Sequence, residues 1–205
     1  MDIQFLKLFR NFVRPKKERS SVRKIGREMN RNQTEQQVER AMSRMIDYYA
    51  ASDPTQIAHT LCVHEYTRLL ARREGYDEHK VGLLEIAAIM HDIGCPSAKW
   101  KYGNSQPAHQ QQEGMCIAAE WFASDPSWLD AQEAQWIVDV VGAHHNAVKA
   151  ETLGFEVLYE ADLIVNLFEG YYPVDYANVY YHKMVRTESG KQLFRQLFAR
   201  WLKKD

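Results

Sequence analysis

A chain of 205 residues with 45% hydrophobic content suits one domain with an ample core, with room for an appendage. Its three cysteines, Cys62, Cys95 and Cys116, are odd in number and form no CxxC pair. That excludes a disulfide framework or zinc ribbon and is expected of buried small side chains in a reducing cytoplasm. The net charge of −1 is uneven: ten Lys/Arg against three acids put +7 on residues 1–33 and leave −8 on the rest, which argues against a nucleic-acid polymer as partner.

Residues 1–33 read as a basic arm. In MDIQFLKLFRNFVR, apolar residues recur near helical spacing among basic ones, the pattern of an amphipathic helix that meets an anionic membrane surface, a partner or another copy of the chain. PKKERSSVRKIGREMNRN (15–32) has few large apolar residues and reads as a linker. No apolar stretch is expected to reach the roughly 20 residues of a membrane span, and the first residues are not expected to form a signal-peptide h-region.

From Thr34 the pattern predicts helices. The first covers about 34–51, and Asp53-Pro54 offers a cap and first-turn proline for a second ending near Gly75. Asp77 caps a third that runs to His91-Asp92. Residues 94–106 are expected as an irregular loop, and further helices fit 107–124, 130–145, 153–170 and 175–202. No alternating β-branched run supports a sheet, so the fold class is all-α, a helical bundle over residues 34–205.

His59, the adjacent pair His91-Asp92 and Asp162 fall on three separate predicted helices. Asp92 and Asp162 interrupt apolar segments, AAIMHDIG and EADLIVNLF, and a carboxylate facing a core requires a partner or a metal. Imidazole nitrogen and carboxylate oxygen suit a divalent transition metal such as Zn, Fe, Mn, Ni or Co. His144 and His145 end one helix and His109 starts another, as candidates for a second metal or for phosphate binding. His64, His79 and His182 read as structural or surface residues.

In order and helical setting, these residues resemble the H…HD…D signature of the HD-domain superfamily of metal-dependent phosphohydrolases. HDIG at 91–94, KYG at 101–103, Glu113-Gly114, the pair His144-His145 and EAD at 160–162 extend the resemblance over roughly residues 50–170. It implies a helical bundle around a metal held by His59, His91, Asp92 and Asp162, and hydrolysis of a nucleotide or other small phosphate ester. Asp92 would orient or deprotonate the attacking water, and Lys101, in KYG, would bind substrate phosphate. Two-metal members often carry a histidine four residues before the glycine matching Gly114. That position is Gln110 here, so one ion is favoured. The alternatives are a di-iron oxygenase on the same scaffold and a non-catalytic module in which metal only holds helices together.

Overall fold

The computed structural model describes residues 16–203, with side chains described from residue 32 onward; these residues form helices and no strand. The helices are α1 (Lys16–Ser52), α2 (Gln56–Arg73), α3 (Glu78–Met90), α4 (Cys95–Tyr102), α5 (Pro107–Ala123), α6 (Ala131–Val141), α7 (Ala147–Leu153), α8 (Glu156–Glu169), α9 (Ala177–Met184) and α10 (Glu188–Phe198). Short 3-10 turns, Val174–Tyr176 and Ala199–Trp201, flank the last two.

The centre of the bundle is α3. Nine of its 13 residues are buried, including Leu84, Ile86, Ala87, Ala88, Ile89 and Met90. A helix apolar on nearly every side must be wrapped by others, and α1, α2, α6 and α8 pack around it. Asp77 caps its start by accepting from the Lys80 amide at 2.8 Å, as its sequence position predicts. On α1, Ala41, Met45 and Tyr49 recur at the four-residue spacing that places them on one inward face. α8 is the other deeply buried helix, with every residue from Val157 to Leu167 enclosed.

Several expectations are corrected. α1 is continuous back to Lys16, through residues read as a linker; the amphipathic segment 3–13 lies outside the described residues. α2 begins at Gln56 without a side-chain cap, because the Asp53 carboxylate instead accepts from the Thr55 hydroxyl and from Lys99. The expected loop 94–106 is helical from Cys95 to Tyr102, and the expected helix 175–202 breaks at residues 185–187 before Thr187 caps α10. Asn146 caps a short helix, α7, that periodicity did not reveal. Cys62 and Cys116 are exposed; only Cys95 is buried. Residues 78–102 are long and apolar enough by composition to cross a membrane, contrary to expectation, but 72% of that apolar stretch is buried inside the bundle.

Candidate metal centre

Helix ends bring the chemistry together. His59 lies in the first turn of α2, His91 caps the C-terminus of α3, Asp92 follows in the turn, and Asp162 projects from the middle of α8. The turn fits because Gly94 has no side chain: a Cβ there would stand 1.9 Å from the Gln110 carbonyl and 2.5 Å from the Gly114 amide of α5. Close passage of two backbones, with φ an ordinary −77°, is therefore what glycine permits at this point.

His59 Nε2 lies 3.2 Å from His91 Nε2, 3.3 Å from Asp162 Oδ1 and 3.5 Å from Asp92 Oδ2. His91 Nε2 lies 3.6 Å from Asp162 Oδ1 and 3.5 Å from Asp92 Oδ2. Metal–ligand bonds of about 2.1 Å would put adjacent ligand atoms roughly 3.0–3.4 Å apart, so these spacings suit one shared ion, which with more than four positions would keep room for water. Tautomers agree. His91 Nδ1 donates to the Ala88 carbonyl at 2.7 Å and His59 Nδ1 to Glu169 Oε2 at 2.9 Å, so each imidazole, once neutral, would turn its Nε2 lone pair to the common point. Asp162 is oriented in turn by Asn166, whose Nδ2 donates to Asp162 Oδ1 at 2.8 Å.

The electrostatics are those of buried carboxylates balanced by imidazoles. Burial alone would raise the Asp92 and Asp162 carboxyls, but the neighbouring imidazoles outweigh it and hold both well below the ordinary carboxylate range. Burial likewise opposes charge on His59, yet its hydrogen bond to Asp162 and the charges of Asp92 and Asp162 raise it to about 9. Protons on imidazole compensate the carboxylates where a metal would do so instead.

A cavity of about 620 Å³ opens on this cluster, lined by His59, Asp92, Lys99, His145, Glu169 and Tyr172 among others. Lys99 Nζ is paired with Asp53 at 2.7 Å on its wall. A separate groove of about 700 Å³ along the outer face of α2, between Leu61, Leu69 and arginines, shares no residue with the site.

Among the expected second-site residues, His144 and His145 converge with Asp92, whereas His109 does not join them. His109 stacks on Tyr102 with ring centres 4.2 Å apart and bonds to Asn104 at 2.9 Å. Lys101 is also displaced from its expected role: its ammonium pairs with Glu113 at 2.5 Å, and Lys99 is the lysine lining the cavity. Glu113 additionally accepts from Ser97 and Tyr102, so the KYG and Glu113-Gly114 motifs join α4 to α5. Sequence reasoning missed Asn166 and Glu169, although both share a face of α8 with Asp162 at positions i+4 and i+7. That polar stripe on an otherwise apolar helix was the available signal.

A family model described as HD domain matches residues 57–167, slightly more than half of the chain and spanning His59, His91, Asp92 and Asp162. No curated protein and no solved structure matches the sequence.

Proposed function

Since the chain belongs to the HD-domain family, we propose that it hydrolyses a nucleotide or similar small phosphate ester, using a divalent transition metal held by His59, His91, Asp92 and Asp162. The observation that carries this reading is that the ligand cluster borders a cavity: His59 and Asp92 line its wall. A purely structural site is closed, whereas a catalytic site keeps a coordination position open to water and substrate. The oxygenase alternative needs two metals, and Gln110 stands among the atoms that would hold the second.

When bound, the ion supplies Lewis acidity toward a phosphoryl oxygen and toward water. The chain's own groups do the rest. Asp92 remains ionised far below neutral pH, so it is a weak base whose contribution is mainly to accept a hydrogen bond from the attacking water and aim it. Lys99 reaches the cavity on an exposed stem and can turn from Asp53 toward an incoming phosphate, neutralising charge that grows on its oxygens. Tyr171 and Tyr172 offer ring faces at the cavity rim to the organic part of the ester.

The test is metal analysis of the full chain purified without chelator, followed by a screen of nucleotides and generic phosphate mono- and diesters. Turnover that is lost to EDTA and restored by Mn²⁺, Co²⁺ or Ni²⁺ is expected. Bound metal with no hydrolysis of any ester would overturn the catalytic reading in favour of a structural metal.

A further inference from the structure

One ligand atom each from Asp92, His144 and His145 falls within 4.8 Å of the others, forming a second convergent group beside the first. The amide nitrogen of Gln110 stands against all three. It is 3.0 Å from Asp92 Oδ1, 3.3 Å from His144 Nε2 and in contact with His145 Nε2. His144 Nδ1 donates to the Val141 carbonyl at 2.8 Å, so its Nε2 presents a lone pair to the carboxamide. The orientation of Gln110 follows from chemistry: its Oε1 accepts from the Cys95 thiol at 2.9 Å. Reversed, the amide oxygen would face the Asp92 carboxylate oxygen and the His144 lone pair.

We propose that Gln110 occupies a second metal position with its own carboxamide and so restricts the centre to one ion, with Cys95 as the positioning residue that aims it. The amide nitrogen brings two hydrogens and partial positive charge to lone pairs that would otherwise gather a cation. An ion about 2.1 Å from the same three atoms would overlap that nitrogen, which has no free lone pair to offer it. Gln110 is 6% exposed and held at both ends of its amide, so it does not readily swing aside. The inference rests on the metal-binding reading of the preceding section and adds what sets the number of ions.

The experiment compares metal content and Mn²⁺ electron paramagnetic resonance of the full-length wild type, Gln110→Glu and Gln110→Ala after Mn²⁺ loading and desalting. The wild type should hold one ion with an isolated Mn²⁺ spectrum. Gln110→Glu puts a carboxylate oxygen where the amide nitrogen stood, and Gln110→Ala vacates the position. Each should hold two ions and show the broadened signal of a coupled pair, and adding His144→Ala should return the count to one. Helical circular dichroism identifies a variant that fails to fold, and the other variant then decides. A wild type with two ions, or folded variants that stay at one, would overturn the inference and leave the hydrolase reading standing. A wild type with no ion would sink that reading first. Cys95→Ala should admit a fractional second ion while Cys95→Ser, which keeps a donor, should not; equal behaviour of the two removes Cys95 from the proposal.

Discussion

The two histidine-rich groups on either side of Asp92 are built alike up to their last component. Each contains an imidazole at the end of a helix whose Nδ1 is tied to the carbonyl three residues earlier, His91 to Ala88 and His144 to Val141. Each takes one oxygen of the same carboxylate: Asp92 Oδ2 faces His59 and His91, and Oδ1 faces His144. They differ in what fills the middle. In the first group His59 Nε2, His91 Nε2 and Asp162 Oδ1 converge on one another, while in the second a carboxamide nitrogen stands against Asp92, His144 and His145. Ligand type and spacing therefore do not suffice to read a metal site; the hydrogen-bond donors at its centre decide as much.

The sharpest way to break this contrast is Asp92→Ala, which strips an oxygen from both groups at once. Turnover should fall on the order of 10³-fold or more, and most bound metal should be lost. Full metal content in this variant, read by elemental analysis, would show that Asp92 is not shared in the way described. Next in size are the residues behind the first group. Asn166→Ala and Glu169→Ala leave every ligand in place but release Asp162 and His59 from their partners. Metal affinity should weaken by about 10–100-fold, as a chelator competition would measure.

The two lysines sharpen the contrast between cavity wall and scaffold. Lys99→Ala should raise KM by about tenfold, the worth of one charge-assisted contact to phosphate. Lys101→Ala should leave KM and metal content unchanged while lowering the melting temperature, because it deprives Glu113 of its cation. A KM effect of equal size in both variants would remove the distinction.

The smallest expected effect concerns the metal-stripped protein. Folding raises His59 from about 6.5 to about 9, so its protonated form stabilises the native state fully below about pH 6.5. That stabilisation fades as pH climbs through 9. With EDTA present, the melting temperature should drop by a few degrees across this window. The metal-loaded protein should be flat over the same range, since an ion then holds the position of the proton. Parallel curves for the two forms would contradict the idea that proton and metal compete for one place.

Much of this was legible in the sequence. Asp92 and Asp162 were marked by interrupting apolar segments, His59 and His91 by their order on separate predicted helices and the H…HD…D resemblance, and the all-α architecture by helical patterning from Thr34 onward with no alternating β-branched run. What escaped reading depended on contacts distant in sequence. Lys101 and Lys99 are two residues apart on α4, and only the packing of α4 against Glu113 decides which one meets the cavity. The 94–106 segment carries a proline and two glycines that usually mark a loop, yet Pro96 sits in the first turn of α4 and Gly103 ends it with φ of 72°. His109 and Gln110 are neighbours on a helix, so about 100° of rotation separates a stacked surface ring from a side chain in the centre.

The glutamate of EAD ties distant parts of the chain into one opening event. Glu160, on α8, accepts from the Arg186 and Thr187 amides at 2.5 and 2.8 Å and from the Thr187 hydroxyl at 2.5 Å, just where the chain turns into α10. Gly190 leaves the space this carboxylate fills, since a Cβ there would come within 2.0 Å of Glu160 Oε2. Detaching α10 would strand a buried carboxylate two residues from Asp162, so the C-terminal helix and the ligand-bearing helix should exchange their amide hydrogens as a single cooperative unit. The last helix is thus expected to set how often the proposed metal centre comes apart.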